Sequence, residues 1–377
     1  MPAPLFNFLS SRGRKRVKIG LLGFPKVGKT SLFNILTGSQ LEVEKFSTGK
    51  AEPHLGVAKV PDPRLEALAK MFKPRKLTPA QVDYLDIQGL AKGEAKDPLF
   101  LREMRNVDAI AHVVRAFTDE EIPHPEGSLD PKRDLETMET EFLLSDLEVA
   151  SRRVEKLRLN IRKVKNPEDE KELPVVTRCL EALERETPIR ALEFAPDEEK
   201  RIRGFAFLTA KPLLGVLNMG EEDAARIGSF LSHFGLEAFA SRPNVALCAA
   251  SAKIEMEIAR LSPEDAEAFM QDLGLSEPCL DRILRASHEL LGLSVFFTAG
   301  EDEVKAWSIP RKCPAQRAAG AIHSDIERGF IRAEVVAYEK LMEAGSLPAA
   351  RDRGWLRQEG KEYRVADGDV INFKFNV

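Results

Sequence analysis

The stretch Gly23-Phe24-Pro25-Lys26-Val27-Gly28-Lys29-Thr30 decides the reading of this chain. It has the form GxxxxGK[ST], and its flanks matter as much as its spacing. Before it stands Val17-Lys18-Ile19-Gly20-Leu21-Leu22, short, apolar and strand-like; after it, Ser31-Leu32-Phe33-Asn34-Ile35-Leu36 reads as a helix. Strand, glycine-rich loop and helix form the context in which this pattern cradles phosphate. Backbone N–H groups of the loop and of the helix N-terminus point at phosphate oxygens. Lys29 is then the residue that reaches the β- and γ-phosphates, a catalytic role, and the Thr30 hydroxyl is a ligand for Mg²⁺. The candidate nucleotide-binding residues here are Gly23, Pro25, Lys26, Val27, Gly28, Lys29, Thr30 and Ser31.

Outward from the loop, Val82-Asp83-Tyr84-Leu85-Asp86-Ile87 predicts a second strand, ending in Gln88-Gly89. Asp86-Ile87-Gln88-Gly89 is a DxxG element: the carboxylate can hold the metal, and the Gly89 N–H can meet the γ-phosphate. The next residue is Leu90, where Ras-like enzymes keep a glutamine that orients the attacking water. A helical stretch, Leu99 to Asn106, precedes a third strand, Ala109-Ile110-Ala111-His112-Val113-Val114, and this alternation argues for a parallel α/β sheet. Further strands are expected at 212–217 and 245–248. The first of these ends in Asn218-Met219-Gly220-Glu221, where guanine-specific enzymes carry Asn-Lys-x-Asp. Lysine is replaced by Met219, and the carboxylate sits one methylene further out, on Glu221. Ser251-Ala252-Lys253 follows the last strand and resembles the final base-contacting loop of such enzymes. Asn218, Met219, Glu221, Ser251 and Ala252 therefore join Gly89 as candidate nucleotide contacts.

Between these halves the periodicity changes. Leu143, Leu147, Ala150, Val154, Leu157, Ile161 and Val164 alternate steps of four and three, the seam spacing of paired helices. Asn166-Pro167-Glu168-Asp169 interrupts it, and Val176, Leu180 and Leu183 resume a helical stripe. This predicts an antiparallel helical hairpin inserted into the α/β domain. After an amphipathic stretch from Leu280 to Leu291, a C-terminal block should form a small mixed sheet with a helix near Ala318 to Phe330. Two short strands are expected to close it, one on each side of Asp367-Gly368.

The chain has 377 residues, with 56 basic and 60 acidic side chains and a formal charge of −4, which excludes a uniformly basic nucleic-acid coat. No apolar run is long enough for a membrane span, and no secretory h-region stands near the N-terminus. Cys179, Cys248, Cys279 and Cys313 are widely separated, which predicts reduced thiols, no disulfide partners and a cytoplasmic protein.

Several ordered stretches together resemble the YchF/Obg-like ATPase family of translation-factor-class P-loop NTPases over essentially the whole length. They are Gly23 to Asn34, Val60 to Leu65, Asp86 to Leu90, Asp108 to Arg115, Asn218 to Glu221, Phe297 to Gly300, Glu327 to Glu334 and Asp367 to Val370. The resemblance implies a G domain in two parts (17–130 and 204–290), a coiled-coil insertion (131–203) and a C-terminal β-grasp, or TGS, domain (291–377). It implies ATP as substrate in preference to GTP, tied to Asn218–Glu221, with Mg²⁺ held by Thr30, Asp86 and a first-switch hydroxyl, Thr48. Leu90 fits the family's membership among enzymes without the usual glutamine. A histidine assisting hydrolysis in such proteins falls on His124, in the polar loop 121–125. The chain also departs from the family. The segment after Leu90 is shorter and poorer in glycine, and Lys26 replaces an asparagine in the phosphate loop.

Arg152, Arg153, Lys156, Arg158, Arg162, Lys163 and Lys165 crowd the helical insertion, and Arg12, Arg14, Lys15 and Arg16 form a second basic run. Both suit a phosphate backbone, and with the family ties they point to the ribosome or its RNA as partner. Two functional readings follow: a slow ATPase switch on the translation machinery, or an RNA- or ribosome-binding module whose nucleotide is structural. A GTP-binding regulator is a variant of the first.

Overall fold

The apolar run before the phosphate loop is strand β1, Lys18–Leu22. The chain then lays down β2 (His54–Val60), β3 (Lys76–Thr78), β4 (Ala80–Asp86), β5 (Ala109–Ala116), β6 (Leu213–Met219) and β7 (Val245–Ala250). This is seen in a computed structural model, which describes residues 17–41, 53–87, 97–119, 121, 123–124, 126–164, 166–275 and 277–376. All of these strands except β3 form one sheet in the order β2-β4-β1-β5-β6-β7. The pairs β1–β4, β1–β5, β5–β6 and β6–β7 are parallel. Parallel strands covered on both faces need near-continuous apolar sequence, and β5 is buried at every position. His112 lies in that run, and burial pushes its imidazole down to about 3, so it is neutral.

The helices begin where the sequence offers caps. Helix α1 is Lys29–Thr37, α2 Pro63–Phe72, α3 Pro98–Arg105, α4 Pro131–Lys163 and α5 Pro167–Glu184. Asp130 accepts from the Arg133 N–H at 3.0 Å, and Asn166 from the Glu168 N–H at 3.1 Å, each followed by a proline at the first helical turn. Asn166-Pro167 thus ends one arm helix and starts the next. Ala150, Val154 and Leu157 of α4 share a core with Val176 and Leu183 of α5, as the seam predicts, and Cys179 joins them. Ile161 is only partly buried, and Val164 is 70% exposed. Its backbone has turned extended at the helix C-cap, which takes its side chain out of the stripe.

The basic run on α4 divides. Arg153 is consumed inside the hairpin, where it donates to Glu172 at 2.7 and 2.8 Å and lies over the Phe205 ring. Lys156, Arg158, Arg162 and Lys163 remain exposed. Lys165 and the N-terminal basic run lie outside the described residues. Near the arm's base, buried Asp146 accepts from the Leu208 N–H at 3.0 Å and from the Thr209 N–H and hydroxyl, both at 2.7 Å.

The chain forms two compact units. Lys18–Val57 and Asp83–Ala286 make the first; Ala58–Val82 and Ser287–Val377 make the second. The segment Ala58–Val82, expected in the first part of the G domain, therefore goes with the C-terminal block. In that second unit, β8 (Leu293–Ala299), β9 (Glu303–Pro310), β10 (Phe330–Ala337), β11 (Arg357–Glu359) and β12 (Asp369–Phe375) join β3 in the order β11-β10-β12-β8-β9-β3. The central β12–β8 pair is parallel, with antiparallel β9 and β10 on its two sides, a β-grasp arrangement to which β3 adds a parallel edge. Arg64 of α2 fastens this addition: its guanidinium reaches Asp367 at 2.7 Å and Asp62 at 2.8 Å and lies over the Phe297 ring.

Two expectations for this block are corrected. The stretch before Asp367 is not a strand and makes one isolated bridge, Pro314–Arg364. Asp367 accepts the Val295 N–H at 2.7 Å and the Gly368 N–H donates to the Val295 carbonyl at 2.8 Å, so the turn is tied to β8 instead of folding back on itself. The helix expected from Ala318 to Phe330 is two, Ala315–Ile322 and Ser324–Arg328, broken at His323, whose backbone is extended. Phe330 already belongs to β10.

Candidate nucleotide-binding site

The phosphate loop leaves β1 at Gly23, where a Cβ would stand 2.5 Å from the Val113 carbonyl oxygen of β5. Gly28 has φ +86°, and a Cβ there would collide with the Asn218 side-chain amide. Both glycines are thus required by close backbone approach. Lys26 also has positive φ, 66°, without glycine's freedom. Helix α1 starts from Gly28 with no side-chain cap and no acid in its first turn, an arrangement that suits an anion at its N-terminus. Thr30 and Ser31 sit in that turn, partly exposed, as the pattern predicts.

Lys29 is buried, and its ammonium donates to the Asp86 carboxylate and the Ile87 carbonyl at the end of β4. Burial drives its pKa below the ordinary lysine value, while Asp86 works in the opposite direction. Two residues selected on separate motifs, 57 positions apart, therefore meet as one buried pair. Asp86 and the Thr30 hydroxyl are hard oxygen donors, the chemistry Mg²⁺ takes, and they fit that ion. Thr48, Gly89 and Leu90 lie outside the described residues.

Asn218, at the end of β6, ties the loops together. Its amide donates to the Val27 carbonyl at 2.9 Å, and its side-chain oxygen accepts the Ala252 N–H at 3.0 Å. Ser251 caps the helix Ala252–Ile258, its hydroxyl accepting from the Ile254 N–H. Met219 is 2% exposed and packs as core. Glu221 opens the short helical segment Glu221–Ser229, and its carboxylate is paired with Lys253. Lys253 stood in the quoted tripeptide, but sequence reasoning did not select it; the signal was a lysine facing an acidic turn across two loops.

His124 is not brought to this group. Its side chain is nearly buried, with Nε2 3.0 Å from Asp134 Oδ2 at the start of α4, though without hydrogen-bond alignment. Its Nδ1 accepts the Glu126 N–H at 3.2 Å. Asp134 is a partner that the sequence reading missed. No group of three or more candidate metal-ligating side chains occurs among the described residues, and no helix there is long and apolar enough to cross a membrane.

The chain matches known proteins and family models. A family model described as "50S ribosome-binding GTPase" matches residues 18–149, and the YchF-GTPase_C model, described as a "Protein of unknown function (DUF933)", matches 293–376. The chain is 41% identical over 362 residues to the ribosome-binding ATPase YchF of Bacillus subtilis, covering 95% of this chain and 99% of that protein. It is 39% identical over 366 residues to the ribosome-binding ATPase YchF of Escherichia coli O157:H7, covering 96% and 99%. The solved structure of the Schizosaccharomyces pombe YchF GTPase superposes with a TM-score of 0.83 at 31% identity, covering 96% of this chain and 99% of that one. With identity sustained along nearly the whole length, the chain belongs to the YchF family.

Proposed function

We propose that this chain is a Mg²⁺-dependent P-loop ATPase with slow intrinsic turnover, prefers ATP to GTP, and acts as a nucleotide-controlled switch on the ribosome. The observation that carries this reading is the Lys29–Asp86 pair beneath an uncapped helix N-terminus. A triphosphate draws Lys29 off Asp86 toward its β- and γ-oxygens, which frees the carboxylate to act with Thr30, and with Thr48, as the oxygen ligands of the metal. When bound, the ion neutralises charge on the phosphate oxygens. Nucleotide binding is thereby coupled to a rearrangement at the end of β4, which is what a switch needs.

Slow turnover follows from Leu90, which cannot hydrogen-bond a water. His124 remains the candidate to orient water. Both of its ring nitrogens face partners within its own segment and α4, so this role requires the segment to leave Asp134. Relatives named ribosome-binding ATPases and the exposed basic side chains of α4 support a ribosomal partner. Cys179, Cys279 and Cys313 are free thiols, which suits a cytoplasmic location.

Single-turnover hydrolysis of ATP and of GTP by the full chain, with and without ribosomes, tests the reading. ATP should be consumed faster than GTP, and ribosomes should accelerate it. Undetectable turnover in both conditions would instead make the protein a ribosome-binding module with a structural nucleotide.

A further inference from the structure

We infer that Lys253 is a specificity-determining residue of the base site: by holding the Glu221 carboxylate it makes the site poor for guanine. The inference rests on the reading above that the 218–221 and 251–253 loops flank the base of an ATP-selective site. Guanine offers a keto oxygen and two adjacent N–H donors along one edge; adenine offers an amino group and a ring nitrogen that accepts. A guanine therefore needs an N–H donor for its keto oxygen and a carboxylate for its paired donors.

Both groups exist in these loops, and both are already engaged within the protein. The Ala252 N–H is donated to Asn218 at 3.0 Å, and Glu221 Oε2 is taken by the Lys253 ammonium. Asn218 cannot easily release Ala252, because its amide is also anchored on Val27 of the phosphate loop. Guanine must break these pairings or leave its own donors unmet, whereas a 6-amino purine asks for neither. Discrimination of this kind comes from the unfavourable fit of the rejected partner. Glu221 raises the Lys253 pKa, as expected for a cation held by a carboxylate. Lys253 is 73% exposed at its side chain, so the pair contributes little to folding and can be removed without unfolding the protein.

The test is the ratio of dissociation constants, Kd(GTP)/Kd(ATP), measured by titration of the full chain in Mg²⁺. Lys253→Met should lower the ratio by up to about fivefold, the cost of breaking one exposed ion pair. Lys253→Arg, which keeps the cation, should retain the wild-type ratio. In a Glu221→Gln background, Lys253→Met should leave the ratio where that background sets it. Inosine triphosphate, which lacks the 2-amino donor, should gain less than GTP. An unchanged ratio in Lys253→Met, or the same fall with Glu221→Gln present, overturns the assignment of Lys253 while leaving ATP selectivity standing. A wild-type ratio below one overturns the ATP-selective reading itself.

Discussion

The Lys29 ammonium rests on the Asp86 carboxylate, and both side chains are withdrawn from solvent. A buried cation held by one carboxylate and one carbonyl is stable only while both remain. Asp86→Ala should therefore destabilise the nucleotide-free protein by about 3 kcal/mol, read as a shift in the denaturation midpoint. The double variant Lys29→Met, Asp86→Leu should recover most of that loss, because a buried ion pair is often replaceable by apolar groups. Lys29→Ala should weaken triphosphate binding roughly tenfold to hundredfold, the loss of a charge-assisted phosphate contact. Equal affinity in mutant and wild type would place the phosphate site elsewhere.

Lys26 offers a test in which stability and affinity move in opposite directions. At φ 66° a lysine sits in a region that asparagine tolerates better. Lys26→Asn should raise stability by about 0.5–1 kcal/mol while reducing triphosphate affinity several-fold, since it removes a charge from the phosphate loop. Thermal melts beside nucleotide titrations check both halves, and a change of the same sign in both would refute the account.

Asp146 should impose a pH dependence on stability. Burial raises its carboxyl from 3.8 to about 6 against the hydrogen bonds from Thr209 and Leu208. With its folded pKa above its unfolded one, the folded state holds the proton more tightly. The stabilisation is complete only well below the unfolded pKa and is lost as pH rises through 6, by about 3 kcal/mol in all. Asp146→Asn cannot titrate. The stability of wild type relative to this variant should fall by about 2 kcal/mol between pH 4 and pH 6, and by the remainder below and above that range, measured by chemical denaturation. A flat difference would mean that the carboxyl titrates normally.

His124→Ala should lower kcat at least about tenfold with little change in ATP affinity, the pattern of an interaction made only in the transition state. Measurement belongs in the presence of ribosomes, where the segment has reason to move. Equal kcat would leave the imidazole as a buried partner of Asp134 and nothing more.

Local chemistry made much of this legible. Gly23 to Thr30 needs only a strand before it and a helix after it, and both are determined by neighbouring residues. The arm seam was readable because helical periodicity carries burial within one element, and it failed toward Val164, where the helix ends. The strand expected before Asp367 failed for the opposite reason. Its fate depends on Val295, 72 positions away, whose backbone binds the turn on both sides.

The residues alone pointed to a phosphate-binding loop, a parallel sheet, a helical hairpin and, at 218–221, a turn without the aspartate of guanine-specific enzymes, since each is written in contiguous residues. Folding was needed to seat Lys29 on Asp86, to occupy Asn218 at both ends of its amide, to close Lys253 on Glu221, to bury His124 beside Asp134, and to assign Ala58–Val82 to the C-terminal unit. These are pairings between side chains or segments distant along the chain. Their partners are chosen by burial and by the geometry of strand ends, which no local pattern encodes.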